Sequence, residues 1–326
     1  LAGCKRRTKT WKQNSLPSAG AYWKTPTRNI FPAPNIADEP FIFAPIPVLA
    51  HCLPTRTLFI ALTENQIIVS MLNPQKHIQY KKYEFRKWQT LDAETIVETP
   101  VSLTVNGAVW LTFMCTPIDL EALAIGFLYN EGIIETLAEV ADARLCEHGD
   151  NLDVWLNHSA RQPDAWRRTS GCAGGVTAVD LLAKPNIALH NESFQLKADD
   201  VGNIVEQLFE AQSLYKDTGG VHTSALSDGE NILIATEDIG RHNTLDKIAG
   251  LRLLKNISSK KCLLITTGRI SSEMLQKAAR MNVPVLVSRT SPSSLSIEMA
   301  ERYGITLIGY ARRDRFNVYT HSHRIG

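Results

Sequence analysis

The sequence predicts an α/β protein, with a small α+β layer in its N-terminal part and alternating strands and helices in its C-terminal part. Three observations carry this. Asn106-Gly107 sits between two β-rich runs, and Asn-Gly so placed is the strongest short hairpin signal. Short apolar runs at 262–266, 284–287 and 305–309 alternate with amphipathic stretches at 271–281 and 294–303. Such alternation implies a parallel sheet with helices packed on it. Finally, 326 residues, 44% hydrophobic and 21% charged, suffice for about two ordinary globular domains.

Residues 1–70 stand apart. They carry eight prolines, little periodicity, and eight Lys/Arg against three acids, a net +5 that leaves −3 for the remainder. Met71 then opens a segment of different texture, and the natural start is expected there. Residues 1–82 are read as a leader outside the folded part and poorly ordered. Residues 83–196 form the N-terminal α+β domain, and 197–326 the C-terminal α/β domain.

In the N-terminal domain, the strands 101–105 and 108–113 flank Asn106-Gly107. Thr116 is the expected N-cap of a helix with Pro117 first and Asp119 and Glu121 in its opening turn. Leu120, Leu123, Ala124 and Phe127 make its apolar face. Strands at 143–146 and 152–156 follow. A helix near 198–211 then leads to Gly219-Gly220, and strands 221–226 and 231–236 form a hairpin around Ser227-Asp228-Gly229. Glu237-Asp238-Ile239-Gly240-Arg241-His242-Asn243 enters the next helix.

In such a sheet, ligands collect beyond the carboxyl ends of the strands. Three loops are expected to meet there: 266–271 with Arg269, 288–293 with Ser288 and Arg289, and Tyr310-Ala311-Arg312-Arg313-Asp314-Arg315. Hydroxyls, backbone N–H groups and guanidinium groups at one edge suit an anionic, phosphate-bearing ligand. His222 and His242 are further candidate ligand contacts, although a buried histidine with satisfied hydrogen bonds is the commoner case.

Thr169-Ser170-Gly171-Cys172-Ala173-Gly174-Gly175 sets a cysteine among three glycines. A thiol on so permissive a backbone can approach another molecule and react as the thiolate. A plain glycine turn holding a small residue fits the local sequence equally well. The six cysteines include no C-x-x-C pair, which reads as free thiols in a reducing, cytoplasmic compartment. The apolar run 41–53 is broken by Pro45 and Pro47, so no membrane span is expected. The mildly acidic body argues against nucleic-acid binding.

With those residues assembled, residues 87–325 resemble the FdhD family, accessory proteins of formate dehydrogenase. The resemblance runs through Val105-Asn106-Gly107, Thr116-Pro117-Ile118-Asp119-Leu120-Glu121, the 169–175 loop and Gly219-Gly220-Val221-His222. It continues through Asp238-Ile239-Gly240-Arg241-His242-Asn243, Thr267-Gly268-Arg269 and Arg315-Phe316-Asn317-Val318-Tyr319-Thr320-His321. It implies a sulfurtransferase-like carrier, usually a homodimer, with a three-layer C-terminal domain similar to cytidine deaminases. Such a carrier takes sulfur from a cysteine desulfurase as a persulfide, here on Cys172. It passes the sulfur to the molybdenum of the bis(molybdopterin guanine dinucleotide) cofactor, which then enters formate dehydrogenase. The cofactor is a bound client, and no permanent metal is expected. The resemblance assigns residues 310–315 to that cofactor.

Many members carry C-x-x-C in this loop, whereas here the second position is Gly175. Cys172 would work alone, and one thiolate is chemically sufficient for a carrier. The departure keeps an alternative open: a chaperone that binds the guanine dinucleotide without moving sulfur. A zinc deaminase is disfavoured, because His190-Asn191-Glu192 supplies H-x-E but P-C-x-x-C is absent.

Overall fold

The structure, a computed structural model, describes residues 73–163, 167–168, 176–177, 194–259 and 261–326. It opens on a long antiparallel hairpin of β1 (Gln75–Glu84) and β2 (Lys87–Ile96). The boundary expected after Lys82 therefore falls inside a strand. Phe85 and Arg86 make the turn with φ of 50° and 63°. Neither residue type announces a positive φ in a sequence.

The N-terminal layer follows: β3 (Thr99–Val105), β4 (Ala108–Cys115), α1 (Leu120–Asn130), β5 (Val140–Leu145) and β6 (Asn151–Leu156). The sheet order is β4-β3-β6-β5, with β3 and β6 parallel and the outer pairings antiparallel. Asn106 (49°) and Gly107 (81°) form the expected two-residue turn. The helix begins later than expected. Asp119 is its N-cap, in the left-handed region at φ 50°. Thr116 instead donates its N–H to Asp238 Oδ2 and accepts the Ile239 N–H on its hydroxyl. A tertiary contact has displaced the local cap.

β7 (Arg167–Arg168) pairs antiparallel with β8 (Val176–Thr177). Residues 169–175, including Cys172, connect them and lie outside the described residues, as do residues 1–72.

The C-terminal body contains α2 (Ala198–Glu210), α3 (Leu214–Thr218), β9 (His222–Ser227), β10 (Ile232–Asp238), α4 (Arg241–Leu254) and β11 (Leu263–Thr266). It ends with α5 (Ser272–Arg280), β12 (Val285–Ser288), α6 (Ser294–Tyr303), β13 (Thr306–Gly309) and β14 (Asn317–Val318). The sheet order is β10-β9-β11-β12-β13-β14. Strands β11, β12 and β13 are parallel, whereas β9 and β14 run antiparallel to their neighbours, so the sheet is mixed.

Period-two alternation divides its strands between two cores. Ala225, Leu263, Ile265, Val285 and Val287 pack with Val201, Ile204 and Leu208 of α2 on one face. Leu226, Leu264, Leu286 and Leu307 pack with Leu245 and Ile248 of α4, Met274 of α5 and Met299 of α6 on the other. The result is three layers, helix–sheet–helix. Ser271 and Ser293 cap α5 and α6, each accepting a backbone N–H three residues on.

Helix α1 joins the N-terminal layer to this body by lying directly on α4. A Cβ at Gly126 would fall 1.8 Å from the Asp246 carbonyl oxygen, and one at Gly250 would fall 1.9 Å from that of Ala122. The two backbones meet where neither carries a side chain. Among the described residues, no helix is long and apolar enough to cross a membrane.

Candidate functional site

The parallel strands β11, β12 and β13 end together, and their loops are hydrogen-bonded one to the next. Arg289 N–H donates to the Thr266 carbonyl, Tyr310 N–H to that of Thr290, and Ala311 N–H to that of Ser288. The Ser288 hydroxyl is buried and donates to the Gly268 carbonyl at 2.7 Å. Ala311 is fully buried in the α2-side core. Both residues hold the edge together from within.

A cleft of about 590 Å³ opens at this edge. His222, Arg289 and Arg312 line it, with Thr267, Thr290, Tyr215 and the Gly219-Gly220 turn. Because β9 is antiparallel to β11, its first residue, His222, arrives at the carboxyl edge. The α3–Gly219 segment is fixed by Glu237, whose carboxylate accepts the N–H groups of Ser213, Leu214 and Tyr215 at 2.8–3.0 Å. A carboxylate at that helix start satisfies donors that would otherwise be open.

Two arginines give the cleft its charge. Arg312 Nη1 donates to the carbonyls of Arg289 and Ala311, which sets its side chain beside Arg289. The Arg289 guanidinium carbon lies 3.9 Å from the Phe209 ring centroid. Its Nε is buried and makes no hydrogen bond among the described residues. Burial, and then the neighbouring Arg312, lower the Arg289 pKa from its ordinary value. Neither arginine forms an ion pair among the described residues, and Glu98 contributes the carboxylate in the lining. Such an edge attracts an anion with several oxygens.

The other candidates separate. Arg269 lines a second cavity of about 290 Å³ with Arg241, Ser271, Ser291 and Ser293. His242 is buried, its Nε2 3.1 Å from Glu273 Oε2. Burial lowers the His242 pKa, against the raising influence of the neighbouring Glu273 carboxylate. His222 is lowered by burial and then by Arg241 and His242. Tyr310 is half exposed at φ 53°, and Arg313 pairs with Glu206 of α2. Asp314 and Arg315 are exposed, and the Arg315 carbonyl accepts the Arg312 N–H at 2.8 Å. The loop 310–315 is seated on α2, where a Cβ at Gly202 would fall 2.0 Å from the Arg313 carbonyl oxygen.

Tyr215, Gln212 and Glu98 line the cleft without having been singled out in the sequence. The glycine pair after Tyr215 was the available signal for that wall. Among the described residues, no three His, Cys, Asp or Glu side chains are grouped to hold a metal ion.

The sequence profile of the FdhD/NarQ family matches residues 96–326. This chain belongs to the FdhD/NarQ family. It is 35% identical over 260 residues to a sulfur carrier protein FdhD from Bacillus pumilus, covering 78% of this chain and 99% of that one. It is also 35% identical over 248 residues to a protein of the same description from Bacillus subtilis, covering 75% and 95%. A crystal structure from Desulfotalea psychrophila, assigned as a formate dehydrogenase accessory protein, superposes with a TM-score of 0.66 at 28% identity. It covers 78% of this chain and 100% of its own. The matched family region contains the four-stranded and six-stranded sheets and the arginine cleft.

Proposed function

We propose that this FdhD/NarQ family member is a sulfur carrier serving a formate dehydrogenase. It accepts sulfur from a cysteine desulfurase as a persulfide on Cys172 and passes it to a bis(molybdopterin guanine dinucleotide) client before that cofactor enters the enzyme. The observation that carries this reading is the pairing of Arg289 with Arg312 in a cleft large enough for a nucleotide diphosphate. The expected client supplies pyrophosphate oxygens for those guanidinium groups. Thr267 and Thr290 add hydroxyls, and Tyr215 offers a ring at the wall.

In the first step, the Cys172 thiolate attacks the outer sulfur of the donor persulfide. A new S–S bond forms, the donor S–S bond breaks, and the desulfurase cysteine leaves as its thiolate. The described cysteines are poorly suited to that attack. Burial pushes the Cys115 pKa up to about 12 and that of Cys262 up to about 11. Cys146 donates its S–H to Asp150 Oδ1.

Incubation with a cysteine desulfurase and L-cysteine tests the proposal by intact mass. One added sulfur, about 32 Da, is expected in the natural chain and absent in Cys172→Ala. An adduct that persists in Cys172→Ala would defeat the assignment. Guanosine diphosphate binding with no mass gain would instead favour a chaperone that holds the cofactor without moving sulfur.

A further inference from the structure

The arginine cleft has an acid in its wall. Among the described residues, Glu98 is the one carboxylate of the lining, and it arrives on the short link between β2 and β3. That link is pinned on both sides. Val97 N–H donates to the Pro74 carbonyl at 2.8 Å, and Thr99 opens β3 opposite Cys115. Ile96 is packed against the turn at Gly220, where an added Cβ would fall 3.0 Å from Ile96 Cγ2. Gln75 of β1 donates to the Asp217 carboxylate in α3 at 2.9 Å. The base of the β1–β2 hairpin thus holds Glu98 on the α3–Gly220 side of the cleft.

Glu98 is exposed, and its side chain makes no ion pair or hydrogen bond among the described residues. It therefore stands beyond ion-pair distance of Arg289 and Arg312, although all three line one cavity. A wall built only for phosphate gains nothing from an acid, since carboxylate and phosphate repel. An ionised carboxylate only accepts hydrogen bonds, so the ligand it suits carries N–H or O–H donors. Tyr215 connects the two regions. It lines the cleft, and its phenol opposes the lowering of the Arg289 pKa by burial and Arg312. Its half-exposed ring offers a stacking face for a planar base.

We propose that Glu98 reads the base in this cleft: its two carboxylate oxygens accept the N1–H and N2 amino donors of a guanine stacked on Tyr215, while Arg289 and Arg312 hold the phosphates. The assignment rests on the nucleotide reading of the cleft and adds the residue that selects guanine. Guanine presents two adjacent donors on its Watson–Crick edge, whereas adenine presents a donor beside an acceptor. Adenine would set its N1 lone pair against a carboxylate oxygen, and a site whose polar groups lose their partners discriminates strongly. A carboxylate also suits ribose hydroxyls or a magnesium ion on the phosphates. Ribose lies next to the phosphates, where an acid would meet their charge, whereas the base is the neutral far end of the ligand. Among the described residues, no second and third acid, histidine or cysteine joins Glu98 to hold a metal ion.

Calorimetry of the full chain with guanosine, inosine and adenosine diphosphates and with inorganic pyrophosphate, each with and without magnesium, tests the assignment. The natural chain should bind guanosine diphosphate at least about 10-fold more tightly than inosine diphosphate, which lacks the N2 amino group, and at least about 30-fold more tightly than adenosine diphosphate. Glu98→Ala should bring guanosine and inosine diphosphates within about 2-fold of each other. Glu98→Gln offers one acceptor and one donor, the complement of adenine, and should bring adenosine diphosphate level with or above its guanine counterpart. General destabilisation would not invert a preference. Pyrophosphate should bind no more weakly in either variant, because the guanidinium groups keep their charge. An equal loss of all three nucleotides in Glu98→Ala would assign the carboxylate to ribose, and a loss seen only with magnesium would assign it to a metal. Either result, or an unchanged ratio of guanosine to inosine affinity, overturns the base assignment and leaves the nucleotide reading standing. A natural chain that binds neither pyrophosphate nor any of the three nucleotides overturns both.

Discussion

Asp238 Oδ2 lies 2.6 Å from Lys247 Nζ, and both side chains are fully buried. Asp238 also accepts the N–H groups of Thr116 and Gly240 and the Asn243 side-chain amide. Lys247 donates to the carbonyls of Thr116 and Glu237. Thr116 follows β4, so the pair ties the N-terminal layer to the body just before Ile239 enters the cleft. The Asp238–Asn243 motif is thus a structural joint as well as a helix entry.

Removing one member of such a pair leaves the other charge buried, which costs about 3–5 kcal/mol. Lys247→Met is expected to lower unfolding free energy in urea by that amount. Asp238→Asn in the same chain should recover part of the loss, since no uncompensated charge then remains. An unchanged urea midpoint for Lys247→Met would show that the joint contributes little.

Stability should fall as pH drops below 6.5. His242 and His222 both have folded pKa values lowered from 6.5 by burial. Below 6.5 the unfolded chain takes up protons that the folded chain does not, so protonation favours unfolding. The stability is present above 6.5 and is lost as pH falls toward the folded values. Glu273 acts in the same direction. Burial raises its pKa, but hydrogen bonds led by that from His242 bring the net value below 4.5. His242→Gln should flatten the denaturation midpoint between about pH 5 and 6.5 relative to the natural chain. A slope as steep in the variant would mean that other groups carry the dependence.

Much of this arrangement was legible because local chemistry and fold agree. Asn106-Gly107 turned where its residue types require, and Ser271 and Ser293 capped the helices they precede. The loops after β11, β12 and β13 met because parallel strands place their ends at one edge. What was hidden depended on distant contacts. Thr116 had a cap residue's character, yet its groups were taken by Asp238 and Ile239 across the layer boundary. The β1–β2 hairpin carries aromatic and basic residues on an exposed ladder, without the apolar alternation that marks a half-buried strand. Its Phe85-Arg86 turn adopts positive φ without glycine or asparagine. The separation of Arg269 from Arg289 and Arg312 into different cavities depends on side-chain direction, which loop position does not specify.

Nucleotide affinity should depend on Arg289 and Arg312 more than on Arg315. The first two line the cleft, whereas Arg315 is exposed and not among its lining residues. Arg289→Ala and Arg312→Ala should each weaken guanosine diphosphate binding by about 1.5–3 kcal/mol in calorimetry, and adenosine diphosphate should bind less well than its guanine counterpart. Gly202→Ala tests positioning, since its Cβ would drive into the Arg313 carbonyl and displace the loop that bears Arg312. Reduced affinity is expected there although Gly202 does not line the cleft. Equal affinity in both arginine variants would place the phosphates elsewhere.

Thiol reactivity should divide the cysteines sharply. Cys115 is fully buried, and its pKa of about 12 reflects burial first and then the nearby Asp238 carboxylate, with Lys247 opposing. Cys262 reaches about 11, chiefly by burial. At pH 7.5 their thiolate fractions are therefore below about 10⁻³, and access is closed as well. Iodoacetamide mapped by peptide mass should leave both unmodified in the native chain and label both in urea. Under the same native conditions, Cys172 should be alkylated, and prior alkylation should block the sulfur adduct. Gly175→Cys sharpens the test: if a second loop thiol resolves persulfides, that variant should form an internal disulfide and retain less sulfur. Native labelling of Cys115 or Cys262 with Cys172 untouched would move the sulfur-bearing position away from the 169–175 loop.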